Sequence, residues 1–100
     1  MMDNLYLEIR TPDSEIFRGE IKQVVLPGKE GLFGVLKNHA PLIATLQKGI
    51  VKVDALKVDH LSGQTEEDEP DADRNNKEYK FDVKGGVVEV LENRVMVLAN

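Results

Sequence analysis

The sequence predicts an all-β fold, a flattened sandwich or barrel of about ten short strands joined mostly as antiparallel hairpins. Three observations carry this expectation. Apolar residues recur with a period of two in short runs rich in valine, isoleucine and leucine. Turn residues interrupt those runs about every 8–12 positions. No stretch combines a 3.6-residue apolar period with helix caps. The 100 residues argue for a single domain over 1–100. A chain of this size buries roughly 65% of its unfolded surface, enough for one core.

Leu5, Leu7 and Ile9 alternate with Tyr6, Glu8 and Arg10, which reads as a half-buried strand. Thr11-Pro12-Asp13-Ser14 is turn chemistry. Residues 16–18 are expected to form a short second strand. Residues 21–26 should form another, ended by Pro27-Gly28. Residues 42–47 and 50–55 flank Lys48-Gly49 and read as a two-residue hairpin, with Leu46 opposite Val51 and Ala44 opposite Val53. One face of that hairpin holds Leu42, Ala44, Leu46, Val51, Val53 and Ala55, and the other is mostly polar.

A second hairpin follows from residues 87–91 and 94–98 around Glu92-Asn93, since asparagine tolerates a left-handed backbone. Val90 then faces Val95 and Val88 faces Val97, a core face of valines. The outer face, with Val87, Leu91, Met96 and Leu98, is more apolar than solvent requires. Gly85-Gly86 reads as a bulge or corner that lets one strand bend between two sheets. Residues 62–76, SGQTEEDEPDADRNN, hold no large apolar side chain and many acids. They are expected to form a flexible acidic loop, because they bury too little to offset their ordering entropy.

The net charge is −5 and there is no basic run, which argues against a nucleic-acid partner. No window approaches the ~20 apolar residues of a membrane span, so direct membrane insertion is not expected. The N-terminus MMDNLYLEIR lacks the pattern of a signal peptide, which points to the cytosol. There is no cysteine, hence no thiolate metal site. Asp71, Asp73 and Asn75 have the spacing that opens a calcium loop, but Asn76 replaces the glycine of the turn and Asp82 the closing glutamate. A solvated acidic loop is the better reading, so no metal is expected. His39 reads as a loop residue satisfied by backbone groups, and His60 as a side chain facing water. Gly28 to Gly34 lacks the ending of a phosphate loop, and no nucleophile, base and acid fall into a hydrolase pattern. Neither a cofactor nor a catalytic residue is expected.

Two blocks carry a resemblance. GKEGLFGVLKNHAPLIATLQKGIVKV and FDVKGGVVEVLENRVMVLAN resemble the epsilon subunit of the F-type ATP synthase. The first block matches that family's pattern at Glu30, Gly31, Gly34, His39, Ala40, Pro41 and Leu42. The second matches at Gly85, Gly86, Glu89, Val90, Val95, Val97, Leu98 and Ala99. The first strand and Phe17-x-Gly19 also fit, so the resemblance spans all but about residues 54–79. There are three departures. Lys37-Asn38 stands where the family often has Pro-Gly. The acidic stretch is longer than the expected loop. The sequence stops where the family's C-terminal helical hairpin would begin, so that hairpin's inhibitory and ATP-binding properties are not carried over.

The resemblance implies a non-catalytic rotor subunit at the foot of the central stalk. It would link the gamma subunit to the membrane c-ring, so that ion flow through the ring drives ATP synthesis. It would sit peripherally at the cytoplasmic face of the inner (plasma) membrane. On this reading Glu30, Gly31, Leu32, Phe33, His39, Ala40 and Pro41 form neighbouring loops at one end of the sandwich that contact the c-ring. Leu32 would be exposed, and Val35 or Leu36 core. Thr11 and Ile43 are the candidate gamma contacts. The alternative is a free-standing β-sandwich protein-binding module.

Overall fold

The computed structural model describes residues 4–62, 66–67 and 77–100. These form nine strands and no helix: β1 (Leu5–Arg10), β2 (Glu15–Gly28), β3 (Gly31–Leu36), β4 (Leu42–Leu46), β5 (Gly49–Leu61), β6 (Glu66–Glu67), β7 (Lys77–Val83), β8 (Gly86–Leu91) and β9 (Arg94–Ala99). The hydrogen-bonded order is β1-β9-β8-β4-β2-β5-β7-β6, with β3 beside β2 and β1 also paired to β2. That second pairing of β1 folds the sheet back on itself. One layer holds β1, β9, β8 and β4; the other holds β2, β3, β5 and β7. The layers meet through β1 on one side and through the single rung Gly28↔Leu46 on the other.

The core follows from alternation. Leu5, Leu7 and Ile9 of β1, Val88 and Val90 of β8, and Val95 and Val97 of β9 are all buried. They meet Val24 and Leu26 of β2 and Val51 and Val53 of β5, also buried. Each such side chain contributes about 1.5–3 kcal/mol when taken out of water. Phe17, Tyr79 and Phe81 fill the β2–β7 side, with ring centroids 5.7–6.4 Å apart. No polar or charged residue is buried among the described residues. On the surface, Tyr6 Oη donates to Asp59 Oδ2 at 2.8 Å and ties β1 to β5. Partial burial, and then that carboxylate, push the phenol pKa above its usual value.

The β8–β9 hairpin has the expected register, Val88↔Val97 and Val90↔Val95. Glu92 (φ 50) and Asn93 (φ 63) are both left-handed, as a two-residue hairpin turn of this hand requires. The hairpin expected around Lys48-Gly49 does not form. β4 pairs with β8, and β5 pairs with β2 and β7. The apolar faces are those expected and the partners are not: Gln47 N–H donates to Pro27 O at 2.9 Å, which carries the chain from one layer to the other.

Residues 15–28 form one strand rather than two short ones, because β5 pairs along it from Phe17 to Val25 with shifts of register that absorb the bends. Pro27-Gly28 lies within this strand, and the turn falls one step later at Lys29-Glu30. Pro27 has no N–H to donate there, and its carbonyl accepts from Gln47 N–H. His60 is half-buried rather than turned to water, with Nε2 3.0 Å from the Glu15 carbonyl oxygen. Of the acidic stretch, Ser62 N–H donates to Ile16 O at 2.9 Å and Glu66–Glu67 pair with β7. Its remainder, with the calcium-like Asp71, Asp73 and Asn75, lies outside the described residues.

Candidate functional site

The site is built on the β2–β3 hairpin. Leu26↔Phe33, Pro27↔Leu32 and Gly28↔Gly31 pair across it, and Gly31 takes φ 130, a backbone few other residues adopt. Period-two alternation then sorts β3. Val35 is fully buried, Phe33 packs partly against the core, and Leu32 and Leu36 point outward at 73% and 55% exposure. Phe33 also lies so close to Gly28 that a side chain there would meet its ring at 2.8 Å. Phe33 is thus part structural and part surface, while Leu32 has no packing role. Val35, not Leu36, is the core residue of the pair.

The turn from β3 to β4 is closed by His39 N–H donating to Leu36 O at 3.2 Å. Asn38, its third residue, has φ 66, which matches a type II turn. The Asn38 N–H donates to Asn93 Oδ1 at 2.6 Å, and Asn93 Nδ2 donates to Asn38 Oδ1 at 3.3 Å. His39 Nδ1 lies 2.7 Å from the Ala40 carbonyl oxygen, which can only accept, so the ring proton sits on Nδ1. This is the backbone-satisfied histidine expected from the sequence. On β4, Leu42 and Ala44 turn toward the core and Ile43 stands 72% exposed. Lys29 N–H donates to Thr45 O at 2.9 Å and fastens the hairpin to β4.

A groove of about 650 Å3 opens between β3 and β4, lined among others by Glu30, Gly31, Leu32, Phe33, His39 and Ile43. Five of the seven residues expected at the ring contact therefore share one groove, and Ile43 joins them. Ala40 and Pro41 are exposed beside it. They are not two neighbouring loops at one end, however. Residues 31–36 are a strand, and the turns carrying Glu30 and His39 sit at its opposite ends. The cause is register: Leu32 and Phe33 pair with β2 and draw the whole run into a ladder.

Thr11 lies elsewhere, in a separate cleft of about 580 Å3 with Ile9, Ile16 and Ile50. Its N–H donates to Ser14 O at 2.9 Å and its hydroxyl accepts from Ser14 N–H at 3.2 Å, so its polar groups serve its own turn. From Ile43 the exposed apolar surface continues over β8 and β9 through Val87 and Leu98, which are paired rungs. The Asn38–Asn93 contact lies beyond the sequence expectations. Its only sequence signal is an asparagine in each of two short turns.

The family described as "ATP synthase, Delta/Epsilon chain, beta-sandwich domain" matches residues 4–62. The ATP synthase epsilon chain of Campylobacter concisus is 36% identical over 99 residues, which is 99% of this chain and 63% of that one. The epsilon chain of Pelotomaculum thermopropionicum is 38% identical over 94 residues, covering 94% of this chain and 56% of that one. The chain thus spans 63% or less of the length of these relatives. Among solved structures, the Euglena gracilis mitochondrial ATP synthase OSCP/F1/c-ring assembly contains a chain that superposes with a TM-score of 0.72 at 19% identity, over 99% of this chain and 52% of that one. The central stalk/c-ring of the Tetrahymena thermophila mitochondrial ATP synthase gives 0.67 at 19% identity, over 97% and 63%. At that identity the likeness is one of fold. The family match covers more than half of the chain and both halves of the groove, β3 and β4. The chain belongs to the ATP synthase delta/epsilon chain β-sandwich domain family.

Proposed function

We propose that the chain is a central-stalk rotor subunit of an F-type ATP synthase, joining the gamma subunit to the c-ring so that ion-driven rotation is coupled to ATP synthesis. The observation that carries this reading is the 36% identity to an ATP synthase epsilon chain across 99 residues. On this reading the chain performs no bond chemistry. It transmits force as a stiff body seated at the cytoplasmic face of the membrane.

The groove between β3 and β4 supports the ring-facing role. Leu32 is a large apolar side chain standing 73% exposed on a strand. Such an anchor gains most when a partner removes it from water. Glu30 and His39 give the rim groups that can pair with polar loops of a ring. Ile43, at the border of that groove, and the outward face through Val87 and Leu98 form the candidate gamma surface; Thr11, in its separate cleft, is a second candidate gamma contact.

Co-expression with the gamma subunit of the same organism, followed by size-exclusion chromatography, tests the reading. Co-elution at one-to-one is expected. Two folded proteins that elute separately would instead support a free-standing binding module. Leu32→Asp then tests the groove: binding of the complex to the c-ring should weaken at least about tenfold, with a melting temperature within about 2 °C of the parent. Phe33 is unsuited to this test, since its ring packs on Gly28 and the core.

A further inference from the structure

The turn that presents His39 is held from outside. A proline and a glycine at its two central positions would form a type II turn unaided, because proline presets the first φ and glycine accepts the positive second one. Lys37 and Asn38 stand there instead, and Asn38 still takes φ 66. Asparagine accepts that backbone less readily than glycine. What it adds is a side-chain amide, and the amide is used. Asn38 and Asn93, 55 residues apart, bond reciprocally: N–H to Oδ1 at 2.6 Å and Nδ2 to Oδ1 at 3.3 Å. Asn93 is anchored in turn, since its carbonyl accepts from Tyr6 N–H at 2.9 Å. The β3–β4 turn is therefore fastened to the β8–β9 turn and, through it, to the first strand.

We infer that Asn93 is a positioning residue: its side chain, clasping the main chain of Asn38, pre-orders residues 39–41 for docking on the c-ring, in place of a proline–glycine turn. The inference rests on the ring-facing reading of the groove. The clasp lies outside the core, with Asn38 exposed and Asn93 half-buried. Its main effect is on the order of the turn. A loop already held in its bound shape loses less freedom on docking and binds more tightly.

Three variants separate the bonds. Asn93→Gly removes both and keeps the left-handed backbone without strain. Asn38→Gly keeps the 2.6 Å bond, which comes from the main chain. Asn93→Asp keeps the Oδ1 acceptor for the Asn38 N–H and replaces the Nδ2 donor with a charged oxygen, toward which the Asn38 amide can turn its own Nδ2. Each is measured, in complex with gamma, for amide hydrogen exchange at Asn38 and for affinity toward the detergent-solubilised c-ring; affinity for gamma is measured alongside.

Asn93→Gly should speed Asn38 exchange at least about tenfold and weaken ring binding about fivefold to tenfold, with gamma affinity unchanged. Asn38→Gly and Asn93→Asp should stay within about twofold of the parent. Unchanged exchange in Asn93→Gly overturns the clasp. Faster exchange with unchanged ring affinity makes it a structural tie only and overturns the inference, leaving the ring reading intact. Equal loss toward ring and gamma means general loosening and overturns it too. If Leu32→Asp binds the ring as the parent does, the groove reading fails and takes this inference with it.

Discussion

The Gly85-Gly86 corner and the two asparagine turns solve one backbone problem in opposite surroundings. Each runs the chain through positive φ: 141 and 144 at the glycines, 66 and 63 at Asn38 and Asn93. At the corner the chain passes from β7 to β8, between layers. A Cβ on Gly86 would overlap the Leu98 carbonyl oxygen and crowd Ala99 Cα at 2.9 Å. There is no room for a side chain and no well that a side chain would favour. The asparagine turns stand at the rim, where side-chain atoms have room to bond each other. Crowding makes a position single-purpose. Open space lets one residue supply both a conformation and a contact.

Gly86→Ala should have the largest effect, about 4 kcal/mol of stability or loss of the folded state, read by denaturant unfolding. A loss below about 1 kcal/mol would break the comparison, since the corner would then yield as easily as a rim turn. Gly31→Ala isolates the conformational part. Gly31 has φ 130, and a Cβ added to it would meet no atom within 4 Å, so strain alone should cost about 1–2 kcal/mol. If it equals Gly86→Ala, backbone angle and not crowding sets both costs. Glu92→Gly should move stability the other way by about 0.5 kcal/mol, because Glu92 holds φ 50 without a side-chain bond of the Asn38–Asn93 kind. A clear destabilisation there would show that the rim turns gain more from their side chains than from their angles.

These positions also show what a sequence can convey. The β8–β9 pairing was legible because its turn is two residues long and one of them is asparagine; length and hand together leave one register. The faces of β4 and β5 were legible for the same reason as any strand, since period two assigns inside and outside without reference to a partner. Their partners were not legible. Lys48-Gly49 has the length of a hairpin turn, but β4 finds β8 far along the chain, and nothing local encodes that choice. At the site, Leu32 was correctly placed outside, while the choice between Val35 and Leu36 for the core stayed open until the register of β3 decided it for Val35. That residues 31–36 would be a strand followed from Leu32 and Phe33 pairing with Pro27 and Leu26, a register hidden by the assumption that Pro27-Gly28 ends a strand. The Asn38–Asn93 contact was beyond reach, because two turns meet only once the layers have closed.

The parallel pairing of β1 with β9 has a mechanical meaning. Five rungs, from Tyr6↔Arg94 to Arg10↔Leu98, join the first strand to the last, and both run the same way. A pull applied between residues 5 and 99 therefore drags these strands past each other lengthwise. The rungs must give way together and not one at a time, as they would if a hairpin were peeled from its open end. Stretched along this axis in a force microscope, the domain should yield at markedly higher force than when pulled across β8 and β9, and a domain that yields equally along both axes would show that the clamp bears no load.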